Sequence, residues 1–475
     1  MGYRSANKFI LRFLYSVCIV TMMLSAVACE ALAPDSVNTP GLPAEGFQET
    51  TQSTNGVAGQ EPPPLSGLAP QSTGGVSAPN IAPAPEAEPE PEPEPPPISN
   101  VKLAFTGDLM LHTQQANHAY NAQTREYDFN YSLSQIAPWL EADLTIGNLE
   151  TVLGGPSVGN YGFQGYPLFS APDTYAYALQ NAGFDLLQTS NNHSLDQREA
   201  GLLRTLDVLD ELGIAHFGTY RSQEERDTIL IREVSGIRFA FLSYSYGTNG
   251  NPIPRGREYV VNIINEDLIR ADIARAKEQN PDFIIVMPHM GREYETFARD
   301  EFRNKARMML EAGADIVVSG HPHVVQPVEF MEITEEDGTV RQGFVAYCLG
   351  NFISGMQDPP NETGIILNMY FEKIGDEKAT LQAISYVPFW VKRQNAARRA
   401  DVVSLPLVPL LRSIEAGEDV DLRASDLTRV RNAHREMAMM MLGRDVPPEE
   451  MLDEYFILSS RESDPGASPG ASPAP

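Results

Sequence analysis

The chain has 475 residues and a formal net charge of −28 at pH 7, with 63 acidic against 35 basic residues. That balance argues against nucleic acid as a partner, because phosphate backbones need clusters of Lys and Arg and none is present. Of three cysteines, Cys18 and Cys29 lie in an apolar leader and Cys348 in a strand-like run, which excludes a disulfide framework.

In chain order, Arg4, Lys8 and Arg12 precede an apolar run from about residue 13 to 28, too short for a comfortable membrane span and flanked like a signal peptide. It closes in "LSAVAC", where small residues before Cys29 resemble a lipobox. Residues 1–29 therefore predict an exported chain held at the outer face of the bacterial cytoplasmic membrane by a lipid on Cys29. Ala26 stands where Leu is usual, which leaves a secreted product or an uncleaved N-terminal anchor as alternatives. From 30 to 99, Pro, Gly, Ser, Thr and Glu dominate, ending in "PAPEAEPEPEPEPPP", the composition of a stiff, solvated stalk. Residues 462–475 form a second low-complexity tail, so the globular part spans 100–461.

Within it, short apolar runs repeatedly end in acid, amide or histidine. "VKLAFTGDLMLH" leads to Asp108 and His112, and "ADLTIGNLET" to Asn148 and Glu150. "GFDLLQTSNNHSLD" leads to Asn191, Asn192, His193 and Asp196. "DFIIVMPHMGREY" delivers His289 with Arg292 and Glu293, "ADIVVSGHPH" delivers His321 and His323, and "GFVAYCLGNF" delivers Asn351. Three- and four-residue apolar spacing predicts helices over Thr174–Ala182, Glu199–Leu212 and Arg299–Ala312. Strands alternating with helices predict an α/β fold with a mainly parallel sheet, whose carboxyl-end loops gather along one edge. The polar clusters all fall at those ends and should converge. Five of the eight histidines lie in or beside them; His118, His216 and His434 do not. Carboxylate, amide and imidazole without thiolate suit Mn, Zn or Fe, and the number of ligands suits two ions. Farther on, "SDLTRVRNAHREMAMMMLG" predicts an amphipathic helix opened by Ser425 and closed by Gly443, with Leu427, Val430, His434, Met437 and Met441 as packing.

In that order "GDLML", "NLET", "SNNHSLD", "HMGREY", "GHPHVVQP" and "LGNF" resemble the CapA family, linked to synthesis or export of poly-γ-glutamate capsules. The likeness covers about Lys102 to Arg393, including the later "YVPFWVKR". That family is similar in turn to the calcineurin-like metallophosphoesterases. The resemblance implies a four-layer α/β/β/α sandwich over 100–393, with 394–461 as a helical extension packed upon it. It also implies Asp108, Glu150, Asn192, His289, His321 and His323 as metal ligands, Glu150 bridging and the two histidines of "GHPH" serving one ion each. His193, oriented by Asp196, would donate a proton or steady the leaving group. His112, Asn148, Asn191, Arg292, Glu293 and Asn351 stand nearby for substrate contact or support.

Two positions depart from the phosphoesterase pattern. Met110 stands where histidine is usual, and a thioether does not replace imidazole on a hard ion. The bridge is Glu rather than Asp. The expectation is a membrane-tethered protein of capsule or other envelope-polymer synthesis or export, with a metal-dependent hydrolase-type site. The alternative is a non-catalytic component that binds an anionic polymer such as polyglutamate, or a membrane synthase or export protein.

Overall fold

Residues 95–156, 163–356, 360–393, 402–420, 422 and 424–459 are described by a computed structural model. The leader with Cys29, the stalk as far as residue 94, residues 394–401 and the tail from 462 lie outside the described residues.

The larger of two main sheets runs β16 (Val402–Pro406), β15 (Thr380–Arg393), β14 (Thr363–Ile374), β1 (Ile98–Leu109), β4 (Leu144–Leu149), β5 (Leu186–Gln188) and β6 (Ala215–Phe217). Short β13 (Asn351–Ile353) pairs with β1, and β17 (Tyr455–Ser459) with β15. The second runs β11 (Val328–Thr334), β12 (Val340–Ala346), β10 (Ile316–Val318), β9 (Phe283–His289), β8 (Ile237–Ser245) and β7 (Leu230–Val234). A small hairpin, β2 (Tyr120–Asn121) with β3 (Glu126–Tyr127), stands apart. The expected parallel sheet is in fact two parallel cores, β1-β4-β5-β6 and β12-β10-β9-β8, each flanked by antiparallel strands.

These central strands read as unbroken apolar runs because both faces are covered. In β9, Phe283, Ile285 and Met287 join a core shared with Leu103 and Phe105 of β1 and Leu367 and Met369 of β14. The alternate residues Ile284 and Val286 pack with Ile269 and Ile273 of α6 (Glu266–Glu278) and Met309 and Leu310 of α7 (Asp300–Ala312). On the larger sheet, Ala104 and Leu187 turn the other way, towards α1 (Thr113–Ala119), α2 (Asn130–Leu133), α3 (Asp173–Ala182) and α4 (Arg198–Leu212). The layers are thus helix, sheet, sheet, helix, and α3, α4 and α7 match the three helices expected from spacing. A one-turn helix, α5 (Gln223–Asp227), precedes β7.

One device recurs at the amino ends of the parallel strands. Asp143 donates its N–H to the Lys102 carbonyl (3.0 Å) and accepts the Lys102 N–H on its carboxylate (2.8 Å). Asp185 does the same to Thr145 (3.0 and 2.8 Å), Asp282 to Arg238 (2.8 and 2.9 Å) and Asp315 to Ile284 (2.9 and 2.8 Å). Each aspartate sits one residue before its strand and clamps the preceding strand of the ladder, which sets the register from which the carboxyl ends emerge.

The C-terminal part contains helices, α8 (Leu407–Glu415) and α9 (Ala424–Leu442), close to the expected bounds. It is more than helical. β16 pairs with residues 389–393 of β15 and β17 with residues 383–386, so this segment completes the larger sheet. His434 lies buried in α9 with Nε2 2.8 Å from the Tyr455 hydroxyl, a packing role. Among the described residues no helix is long and apolar enough to cross a membrane.

Candidate metal centre

Strands β1, β4, β5, β9, β10 and β12 each deliver a polar side chain just at or past their carboxyl ends. β1 comes close enough to the turn after β12 because Gly107 has no Cβ, which would run into the Gly350 carbonyl. Asp108 then accepts from Asn148 Nδ2 on Oδ1 (2.7 Å) and meets His323 Nδ1 on Oδ2 (3.0 Å). A Cβ on Gly320 would stand 2.9 Å from Asp108 Oδ1. His321 and His323 follow with φ of +100° and +59°, backbone that side chains rarely adopt. Such strain costs about 1–3 kcal/mol per residue and persists where the surroundings enforce it, commonly at functional sites.

The hydrogen-bond network assigns the protons. Asn351 donates through Nδ2 to the Asn361 carbonyl (3.1 Å), so its Oδ1 faces His323 Nδ1 (3.0 Å). With acceptors from both Asp108 and Asn351, His323 Nδ1 carries the hydrogen and Nε2 turns to Glu150 Oε1 at 3.7 Å. Asn191 donates to Asn148 Oδ1 (3.1 Å) and the Leu149 carbonyl (2.8 Å), which presents Asn148 Nδ2 to His289 Nδ1 (3.2 Å). His289 Nε2 meets Asn192 Oδ1 at 2.9 Å and Glu150 Oε1 at 3.4 Å.

Glu150 is fully buried, yet among the described residues neither carboxylate oxygen has a hydrogen-bond partner. His321 Nδ1 is buried and, among the described residues, unpartnered as well. Orphaned buried acceptors among imidazoles are costly unless something electropositive completes them. Ligand atoms of Glu150, His321 and His323 lie within 4.8 Å of one another, as do those of Asp108, Glu150 and His289. Glu150 belongs to both sets. The donors present therefore fit divalent cations, with Glu150 between two positions. His321 and His323 fall together in one set, where the family resemblance implies one ion for each.

Electrostatics follow from burial and proximity. Burial and the Asp108 charge push Glu150 up to about 8. Burial alone would raise Asp108 too, but His323, His289 and Asn148 bring it down to about 2. Burial lowers His289 to about 3 and His321 to about 2, leaving neutral imidazoles, the form that ligates. Burial would lower His323 as well, but the charges of Glu150 and Asp108 lift it to about 9.

Beside the cluster, His193 Nδ1 lies 2.6 Å from Asp196 Oδ2, which also accepts the Phe169 N–H (2.7 Å). Asp196 is raised by burial, against the pull of His193. The Phe169 ring meets the His193 ring edge-on, 4.6 Å between centres. Other expected neighbours divide. Asn148, Asn191 and Asn351 orient Asp108, His289 and His323 as described. His112 instead opens α1, with Nδ1 accepting the Gly355 N–H (3.1 Å), and is in neither ligand set. Arg292 and Glu293 are exposed on the loop after β9; Glu293 is felt there as negative charge near Glu150, His289 and His323. Met110 is buried, and its backbone carbonyl holds Gln115 (3.0 Å) and the Tyr175 hydroxyl (3.3 Å).

The end of β8 contributes residues that the sequence did not single out. The Tyr246 ring lies against His321, 4.5 Å between centres. Asn249 Oδ1 accepts from Asn192 Nδ2 and the Tyr246 hydroxyl, both at 3.2 Å, and its Nδ2 stands 3.4 Å from His193 Nε2. The signal was the same apolar run ending in polar residues, "FLSYSYGTNGN", without an acid or histidine to mark it.

The model of a family described as "Bacterial capsule synthesis protein PGA_cap" matches residues 102–356, and the chain belongs to that family. The capsule biosynthesis protein CapA of Bacillus anthracis is 28% identical over 261 residues, covering 54% of this chain and 60% of that protein. The PGA biosynthesis protein CapA of Bacillus subtilis is 30% identical over 176 residues, 37% of this chain and 44% of its own. The chain thus spans less than two thirds of the length of either relative. Similar solved structures include the NAD nucleotidase of Haemophilus influenzae (TM-score 0.38, 11% identity, 72% of this chain and 57% of that one). Another is the calcineurin-like phosphoesterase YfkN of Bacillus subtilis (TM-score 0.35, 13% identity, 72% and 98%).

Proposed function

We propose that this capsule-synthesis family member is a metal-dependent hydrolase-type protein acting on an envelope polymer, held outside the cytoplasmic membrane by a lipid on Cys29. One observation carries the site: a fully buried Glu150 with both oxygens unpartnered among the described residues, shared by two sets of imidazole and carboxylate donors. Asp108, Glu150, Asn192, His289, His321 and His323 would hold the cations. When bound, divalent ions there would supply positive charge for a developing oxyanion and make water a better acid. The chain's own groups do the rest. Asn148, Asn191 and Asn351 fix the faces that Asp108, His289 and His323 present. Asp196 holds the His193 Nδ1 proton, leaving Nε2 to take or deliver a proton at the substrate.

Elemental analysis of the purified full chain tests this, beside His321→Ala and Asp108→Ala. Close to two ions per chain, with each variant losing metal, is the expected result. A metal-free, folded wild type overturns it. A second reading, a polymer-binding or synthase-binding component without turnover, is favoured by two features. Asn249 Nδ2 faces the very His193 nitrogen that would carry the proton, and Met110 supplies no imidazole. Metal-dependent polymer retention without new chain ends would decide for it.

A further inference from the structure

The turn after β8, residues 246–251, reaches back onto "SNNHSLD", the segment that supplies Asn192, His193 and Asp196. Its backbone is well fixed. Tyr246 donates its N–H to the His289 carbonyl (3.0 Å), and the Ser245 hydroxyl donates to the Gly247 carbonyl (2.7 Å). The Asn251 N–H and the Thr248 hydroxyl then close the turn on the carbonyls of Thr248 (2.8 Å) and Asn251 (2.6 Å). At the tip Asn249 adopts φ +50° and Gly250 φ +74°. Asparagine tolerates a left-handed backbone better than most side chains, but glycine tolerates it better still. The backbone alone therefore gives no reason for an amide here.

The side chain gives one. Asn249 is an exposed residue, yet both ends of its amide meet groups of the centre. Oδ1 accepts from Asn192 Nδ2 and from the Tyr246 hydroxyl, both at 3.2 Å, and Nδ2 stands 3.4 Å from His193 Nε2. Asn192 is buried, and its two amide atoms are not interchangeable. Its Oδ1, 2.9 Å from His289 Nε2, has lone pairs to offer a cation, whereas the amide Nδ2 has none. Were the Asn192 amide turned over, Nδ2 would face the centre and Oδ1 would oppose Asn249 Oδ1, acceptor against acceptor. Leaving a buried amide so mismatched is unfavourable. The acceptor on Asn249 thus opposes the rotation that would take the ligand atom away.

We infer that Asn249 is a positioning residue of the centre, which holds the Asn192 amide with Oδ1 towards the cation. This rests on the reading of the centre as a metal site.

The test is titration of the purified full chain with Mn²⁺ and with Zn²⁺ against a chromophoric chelator, beside Asn249→Gly and Asn249→Asp. Glycine keeps the left-handed backbone and removes the amide. Aspartate keeps the acceptor for Asn192, and high salt screens its added charge. Asn249→Gly should bind one of two ions at least about tenfold more weakly and the other within about threefold of wild type, the size of loss usual for partners of metal ligands. Asn249→Asp should restore that ion in high salt, and the metal-free chains should melt alike. Two ions held equally by wild type and Asn249→Gly, or an Asn249→Asp no better than Asn249→Gly, overturns the inference alone. So does an equal loss of both ions with a lowered melting temperature, which would make the turn a structural support only. A wild type that takes up neither ion overturns the reading of the centre, and this inference with it.

Discussion

At the scale of single residues, the centre is a store of protons as much as of ligands. Burial and the Asp108 charge raise Glu150, and the Glu150 and Asp108 charges raise His323, so the two titrate as one pair that retains extra protons at pH 7 in the metal-free chain. Cation uptake must displace those protons, because carboxylate and neutral imidazole are the ligating forms. Affinity for Mn or Zn should therefore rise with pH up to about 9 and weaken as pH falls, by up to about tenfold per unit for each proton released. Calorimetry in two buffers of different ionisation enthalpy would reveal the release; identical heats in both would contradict it. Most of the proposed ligands were legible as candidates because each follows an apolar run and is itself an acid, amide or histidine. Tyr246 and Asn249 were not, since aromatic and amide residues after β8 look like an ordinary turn until His321 and His193 arrive from elsewhere in the chain. Nor was the diversion of His112 into a helix start, which depends on Gly355, 243 residues away.

At the scale of elements, the aspartate clamps tie strands before any side chain reaches the centre. Asp282 is the most connected. Besides Arg238 it accepts the Ala379 N–H (3.1 Å) and Lys373 Nζ (3.1 Å), so it joins β8 and β9 of one sheet to β14 and the start of β15 in the other. Burial would raise its carboxyl, but the backbone donors and Lys373 outweigh that and hold it below the ordinary value. A carboxylate lowered on folding contributes stability that is present above its unfolded value, about 4, and is lost as pH falls through the folded one. Asp282→Ala should cost about 2–4 kcal/mol at pH 7, since charged acceptors of backbone donors contribute about 1.5–3 kcal/mol each. Denaturant melts at pH 7 and pH 3 would check this, with the difference between wild type and variant shrinking at pH 3. The helices were legible from their spacing. The clamps were visible only as "EADL", "GFDL", "NPDF" and "GADI", strings that acquire meaning once the strand next door is known.

At the scale of the whole molecule, the extent of the family match and the extent of the fold differ. The match ends at residue 356, past every candidate ligand. Yet β14 begins at Thr363 and pairs antiparallel with β1 from Ile98↔Ile374 to Phe105↔Leu367, the strand that presents Asp108. β15 pairs with β14, and β16 and β17 cover the outer edge of β15 from opposite ends. The core between the sheets likewise recruits Leu407, Leu411, Val430, Met437 and Tyr455. Short strands such as β16 and β17 carry too little pattern to be read before their partner is known, and so the C-terminal part looked like a helical addition. A chain ended at residue 356 would leave β1 with an open edge along eight residues and a core without one wall, the template for edge-to-edge association. It should be insoluble, although it retains all six proposed ligands. A chain ended at residue 393 restores β14 and β15 but bares the edge of β15, and should be soluble at best in part, with a melting temperature lowered by ten degrees or more. Expression of the three lengths, followed by sedimentation and thermal melts, measures both effects. A soluble, metal-binding chain ended at 356 would mean that the larger sheet tolerates the loss of four of its nine strands, and that the centre is held by the parallel cores and their aspartate clamps alone.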